Sequence, residues 1–256
     1  MEETKNPIQV AGRLFAVLEL LADCREASLT EISEKLHLNK STAHRILSSL
    51  IYMEYVKQAD DGKYQLSLKI VDLSNRIVNV NRENMLSIVY PVLHSLAENV
   101  GETVHFVQKD GIDAVYMAKM APNGTTTTIA SRIGSHVPLY RSAVGKAMAA
   151  TMSYDEVWDL WQKSNIVKTT DHTITDFGDF SACLDHVREN GYATDDEENE
   201  IGVKCIAAAI HTPFDANGIA QYAFSVTGTK IRVQKKEGEI INAVLQTQKQ
   251  MDDLFK

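Results

Sequence analysis

Two short helices separated by a three-residue break constrain this chain more than any other feature of its sequence. Ala43, Ile46, Leu47, Leu50 and Ile51 recur at i, i+3, i+4, i+7 and i+8, which places them on one face of a helix. Lys40, Ser41, His44, Arg45 and Ser48 share the opposite face, which is small, polar and basic. Upstream, Ser28 with Glu31 three residues later fits a capping box, and Leu29, Ile32, Ser33 and Leu36 then point inward. His37-Leu38-Asn39 breaks the pattern, with Asn39 placed to cap the following helix. A helix over 8–23 precedes both. Its expected core face is Ala11, Leu14, Phe15, Leu18 and Leu21, with a second apolar strip of Val10, Val17 and Leu20.

The segment after these helices is a hairpin by composition: Tyr55–Gln58 and Lys63–Leu66 flank Asp60-Asp61-Gly62. Helix, turn, polar-faced helix and hairpin is the order of a winged helix-turn-helix. Such a unit fits one helix into the DNA major groove, which is ~12 Å wide. Asn39, Lys40, Ser41, Thr42, His44 and Arg45 are the candidates to meet phosphates and base edges, and Lys57, Lys63 and Tyr64 the candidates on the wing. The net charge of −8 is unlike the usual basic footprint of DNA-binding domains. From Lys35 to Met53, however, there are three basic residues, two histidines and no acid. The same pattern fits a plain three-helix bundle whose charges are only solvated.

At 256 residues, with 44% hydrophobic and 23% charged residues, the chain has room for more than this block. Residues 69–84 read as a connecting helix, with a boundary near residue 80. From 85 onward both periods mix. Met85–Val100, Ser142–Thr151, Tyr154–Lys163, Asp179–Asn190 and Gln234–Leu254 read as helices. Thr103–Gln108, Ala114–Lys119, Thr126–Arg132, Cys205–Thr212 and Ile219–Thr227 read as strands. Turn signals stand at Lys109-Asp110-Gly111 and Ala216-Asn217-Gly218. The expected fold class is α+β with an antiparallel sheet.

Several chemistries find no support. No apolar run reaches the ~18 residues of a membrane span, and Met1–Val10 lacks the core of a secretory signal. Cys24, Cys183 and Cys205 stand far apart, which points to a reduced, cytosolic chain without a cysteine metal site. Gly145-Lys146 lacks the upstream Gly and the following Ser/Thr of a phosphate loop, and neither G-x-S-x-G nor H-E-x-x-H occurs. The acidic run Asp195–Glu198 with Glu200 and His211 reads as solvated rather than metal-binding, so no cofactor or metal is expected.

Leu29–Leu47, T-E-I-S, a turn, then K-S-T-A-H-R-I-L, resembles the helix-turn-helix of IclR-type bacterial regulators. The likeness continues in order through Gly101–His105, Pro138–Ala147, Val187–Ala193, Asp195–Glu198 and Gly202–Ala207. Two departures stand out: His37 and Glu54 occupy positions where that family favours Gly. The resemblance implies three segments, a winged helix-turn-helix over 8–68, a linker helix over 69–84, and a GAF-like effector-binding and oligomerisation domain over 85–256. It implies a homodimer or homotetramer on a palindromic operator in double-stranded DNA, most simply as a repressor, and no enzyme activity. By the same resemblance a small organic acid contacts Ala143, Val144, Asp195, Cys205, Ser225 and Thr227, against an apolar wall of Ile129, Val137 and Val203. Ser142-Ala143-Val144-Gly145 opens a helix whose amides suit a carboxylate, with small side chains that admit a ligand. Ser131–Tyr140 is similar to the branch controlling breakdown of pectin-derived sugar acids such as 2-keto-3-deoxygluconate, which makes a hydroxylated keto-acid the expected effector. A ligand-binding module with an inactive helix-turn-helix, or a sugar-acid enzyme, are the alternatives. The strip Val10, Val17, Leu20 is the expected dimer contact.

Overall fold

The computed structural model describes residues 8–78, 82–123, 131–213 and 215–255. The chain divides into two compact units, Met1–Glu83 and Asn84–Lys256, each with a core of its own.

The first unit runs α1 (Gln9–Cys24), β1 (Glu26–Ala27), α2 (Leu29–Lys35), α3 (Lys40–Tyr52), β2 (Val56–Gln58), β3 (Tyr64–Leu66) and α4 (Lys69–Val78). The capping box forms as the sequence requires: Glu31 N donates to Ser28 Oγ at 3.3 Å, and Ser28 N donates to Glu31 Oε2 at 2.7 Å. These bonds hold the Glu31 carboxyl below its usual range. His37 takes a left-handed φ of 51° and Glu54 one of 65°, which accounts for glycine being favoured at both positions. The turn is closed where Ser33 Oγ donates to Leu38 O at 2.5 Å. Asn39 holds the cap position of α3 with extended backbone, but its side chain makes no capping bond. The hairpin pairs β2 with β3 antiparallel, and β1, which the sequence pattern did not reveal, adds to the far side of β3.

Three placements in the core differ from expectation. Val17 is fully buried with Leu21, Ile32, Leu47 and Leu50, whereas Phe15 is 60% exposed and Ile51 38%. The strip Val10, Val17, Leu20 is therefore not one surface: Val17 belongs to the core, Leu20 packs partly against it, and Val10 is exposed. One helical turn of ambiguity explains the exchange, because α1 carries apolar residues around most of its circumference.

The second unit runs α5 (Arg82–Val100), β4 (Thr103–Asp110), β5 (Asp113–Met120), β6 (His136–Pro138), a 3₁₀ turn Leu139–Arg141, α6 (Ala143–Ala149), α7 (Tyr154–Lys163), α8 (Phe177–Asn190), β7 (Ala193–Asp196), β8 (Val203–Ile210), β9 (Tyr222–Thr229), α9 (Lys230–Lys235) and α10 (Glu237–Leu254). The expected helix over Gln234–Leu254 begins earlier and breaks at Lys236, between α9 and α10. The expected strand over Thr126–Arg132 lies largely outside the described residues. The sheet is antiparallel throughout, in the order β6-β5-β4-β9-β8-β7.

Period-two alternation gives the sheet two buried faces. Phe106, Ile206, Ala208, Phe224 and Val226 pack with Val89, Leu93, Ile240 and Val244 of α5 and α10. Val107, Ala207, Ala209 and Ala223 pack with α6, α7 and α8 on the other side. At one end of that second face the residues turn polar: His105, Ser225 and Thr227 are all at most 4% exposed. Helix α6 lies close against the turn before it because residue 145 is glycine. A Cβ there would meet the Leu139 Cα at 2.2 Å. The small residue thus serves helix packing, not ligand approach as its sequence context implied.

Candidate functional site

The polar face of α3 emerges as a surface. Asn39, Lys40, Ser41, His44, Arg45 and Ser48 are exposed, Thr42 is half-buried, and Ala43, Ile46 and Leu47 anchor the helix from behind. Thirteen residues at ~1.5 Å rise make a rod of about 20 Å, long enough to lie across a major groove. Among the described residues neither Lys40 nor Arg45 is held in an ion pair. The wing is less open than its sequence implied. Lys57 is exposed, but Lys63 Nζ lies 2.6 Å from Glu26 Oε1 on β1. Tyr64 is 5% exposed and packs into the core of the unit. Its position in β3, facing the helices, turns the ring inward and leaves it no reach toward DNA.

In the second unit a cavity of about 260 Å³ opens between the polar end of the sheet and the start of α6. Val137, Ala143, Val144, Asp195, Val203, Cys205, Ser225 and Thr227 all line it. Ile129, the remaining residue expected there, lies outside the described residues. Neighbouring strands bring the set together: Cys205 stands opposite Thr227 and Asp195 in the β8 register, and His105 opposite Ser225 across β4 and β9. Ser142 caps α6, accepting from Gly145 N at 3.1 Å and donating to Pro138 O at 2.9 Å. The amide of Gly145 is thereby engaged, and Ala143 and Val144 are the first-turn residues that line the cavity.

Matches to known proteins agree with this division. The model of the IclR helix-turn-helix domain matches residues 10–60, and that of the bacterial transcriptional regulator IclR C-terminal domain matches residues 78–253. The chain belongs to the IclR family of bacterial transcriptional regulators. Similar relatives include the HTH-type transcriptional regulator KdgR of Escherichia coli, 32% identical over 95% of this chain and 91% of that protein. The DNA-binding transcriptional repressor YiaJ of the same organism is 36% identical over 93% of this chain and 84% of that one. Among solved structures, the Thermotoga maritima IclR superposes with a TM-score of 0.80 at 26% identity, covering 96% of this chain and 98% of the other. Both a DNA-binding helix-turn-helix and the curled antiparallel sheet are family features.

Within this IclR-family cavity, burial sets the protonation states. His105 is held neutral, with its pKa pushed down to about 3 by burial and by the nearby Lys119. Its ring nitrogens sit 3.2 Å from Thr227 Oγ1 and 2.6 Å from Ser131 Oγ. Burial raises Asp195 to about 7, against the pull of Lys146, and raises the Cys205 thiol and the Tyr116 hydroxyl. Asp195 Oδ1 accepts from Glu198 N at 2.8 Å and Asn199 N at 3.3 Å. His105 is therefore neutral and the Cys205 thiol stays protonated, so these two groups offer hydrogen bonds rather than a nucleophile.

The acidic run does not behave as a solvated face. Asp195 and Glu198 are 4% and 7% exposed, and Glu198 pairs with the buried Lys146. Asp196 and Glu197 are engaged by Lys230 and Lys204. His211 lies beyond the opposite end of β8, 3.6 Å from Asp215. Among the described residues no group of three or more His, Cys, Asp or Glu could hold a metal ion, and no helix is long and apolar enough to cross a membrane. Sequence reasoning missed His105, Tyr116, Arg141, Asn199 and Glu200, which also line the cavity. Alternation from Thr227 through the strand pairing would have reached His105, but the turn residues carried no periodic signal.

Proposed function

We propose that the protein is a cytoplasmic repressor that binds a palindromic operator as a homodimer or higher homo-oligomer and responds to a small hydroxylated organic acid. Residues 8–68 supply the DNA-binding unit, 69–84 the linker and 85–256 the effector-binding and oligomerisation part. The observation that carries this reading is the cavity: eight residues expected at the effector line one space of mixed polar and apolar character. Support for DNA contact comes from the α3 face, where Asn39, Lys40, Ser41, Thr42, His44 and Arg45 are presented together and Lys57 stands exposed on the wing. Tyr64 is left out because it is core, while Lys63 stays a wing candidate, its pair with Glu26 being solvent-exposed on both sides.

The effector works by population shift. An acid that binds one conformation better changes the spacing of the two DNA-binding units, and the operator changes acid affinity by the same factor. Hydroxyl and amide groups around the cavity, together with the likeness of Ser131–Tyr140 to the pectin sugar-acid branch, favour a keto-sugar acid such as 2-keto-3-deoxygluconate. The relatives named as repressors favour repression.

Gel shifts on promoter fragments from the source genome, with and without 2-keto-3-deoxygluconate, test the proposal. Retention of a palindromic fragment, released by the acid, is expected. Arg45→Ala should weaken that fragment by about 1–3 kcal/mol if Arg45 reads a base, and weaken all fragments alike with a smaller salt slope if it holds phosphate. No retention of any fragment under either condition overturns the reading.

A further inference from the structure

The described residues lining the cavity include hydroxyls, carboxyls and an amide but, of lysines and arginines, only Arg141. It ends the 3₁₀ turn and directly precedes Ser142, the cap of α6. Three other buried or half-buried cations of this unit have carboxylate partners: Lys146 has Glu198, Lys204 has Asp196 and Glu237, and Arg232 has Glu102. Arg141 has none among the described residues. Its Nη1 donates to Thr169 Oγ1 at 3.1 Å, and its Nε is buried without an acceptor. The guanidinium carbon lies 5.8 Å from the centre of the Tyr140 ring. That ring is fixed in turn, its hydroxyl donating to Val167 O at 3.0 Å and accepting from Val167 N at 2.9 Å. A guanidinium has five donors in a planar fork that matches a carboxylate through two parallel bonds. Here the fork is oriented, partly desolvated and short of an anion.

Thr169 connects this group to the opposite wall. The segment 165–173 is tied to the turn after β7: Thr170 Oγ1 donates to Glu197 O at 2.6 Å, and Thr173 Oγ1 to Glu198 O at 2.7 Å. That turn carries Asn199 and Glu200 into the cavity lining. We infer that Arg141 pairs with the carboxylate of the effector, and that its bond to Thr169 links occupancy of the cavity to the segment 165–173. The inference rests on the organic-acid reading above and names the side chain that would select for an acid. It also names the route by which binding reaches both walls.

Calorimetry on the full-length protein with 2-keto-3-deoxygluconate and its uncharged methyl ester tests this. Arg141→Gln should weaken the acid by about tenfold or more, the scale of a lost charge-assisted pair, and leave the ester nearly unchanged. Arg141→Lys keeps the charge but not the fork and should fall between. Should the Gln variant fail to fold, the Lys variant decides, since affinity equal to wild type overturns the pairing. Hydrogen exchange of residues 165–173 should slow when the acid is added to wild type and speed up in Thr169→Val without ligand. Exchange unmoved by the acid overturns the link. If wild type binds the acid and Arg141→Gln binds it as tightly, the Arg141 inference fails and the effector reading stands; if wild type binds neither compound, both fail together.

Discussion

Lys146 and Glu198 form a buried ion pair, with side chains 1% and 10% exposed. The lysine comes from the middle of α6 and the carboxylate from the turn after β7, so one contact joins the two elements that flank the cavity. Glu198 also positions the site directly, because its backbone N–H holds Asp195 Oδ1 at 2.8 Å. Burial pushes the Glu198 carboxyl above its usual range, and the pairing with Lys146 works against that rise.

Removing one partner of such a pair leaves the other buried and uncompensated. Lys146→Met is expected to destabilise the second unit by about 3–5 kcal/mol, whereas Lys146→Met with Glu198→Leu should recover most of the loss. Both tryptophans, Trp158 and Trp161, lie in α7, so urea denaturation followed by tryptophan fluorescence reports this unit alone. A single variant as stable as wild type would show that the pair contributes nothing to the packing of α6.

Two cavity groups give the unit opposing pH dependences. Asp195 has its folded pKa raised to about 7, so between roughly pH 4 and 7 the folded state holds a proton that the unfolded chain has released, and its contribution to stability falls as pH rises. His105, held neutral down to about pH 3, does the reverse: the unfolded chain binds the proton, and stability rises between about pH 3 and 6.5. Asp195→Asn keeps an oxygen for the amides of Glu198 and Asn199 and removes only the titration. Its advantage over wild type should grow from pH 4 to pH 7, reach a few kcal/mol in order of magnitude, and level off above. Denaturation midpoints of both proteins across that range check it, and a constant offset contradicts it.

The left-handed residue between α2 and α3 offers a cleaner local test. A non-glycine residue there costs ~1–2 kcal/mol of backbone strain, and glycine adds back ~0.5–1 of chain entropy. His37→Gly should therefore stabilise the first unit by roughly 0.5–1 kcal/mol, read as slower native-state hydrogen exchange of the α3 amides. Faster exchange would mean that the imidazole makes a contact worth more than the strain.

What was legible in the sequence follows from how local each signal is. The capping box, the α3 stripe from Ala43 to Leu50 and the Gly62 and Gly111 turns are decided within a few residues, and the structure forms all of them. The two-residue β1 and three-residue β6 are too short to show a period and exist because β3 and β5 offer open edges. Asp195 and Glu198 read as solvated acids because their partner Lys146 is 52 residues from Glu198 in sequence. Arg141 and Asn199 reach the cavity from turns, where direction is set by tertiary contacts. The family pattern supplied residues that periodicity could not, and Gly145 illustrates the limit: the residue was noticed, but its reason, contact with the Leu139 backbone, is visible only in three dimensions.

The exchange of Phe15 and Val17 makes a last prediction about assembly. Val17 is fully buried among Leu21, Ile32 and Leu47, so Val17→Asp should unfold the first unit rather than separate subunits. Phe15, 60% exposed, and Val10, 62% exposed, are the large apolar side chains that α1 leaves uncovered. In a dimer built through α1 they would be the buried contact, and Val10→Asp with Phe15→Asp should yield folded, smaller species that bind the operator weakly. Light scattering with circular dichroism distinguishes the cases. A folded double variant of unchanged mass would move the dimer contact away from α1.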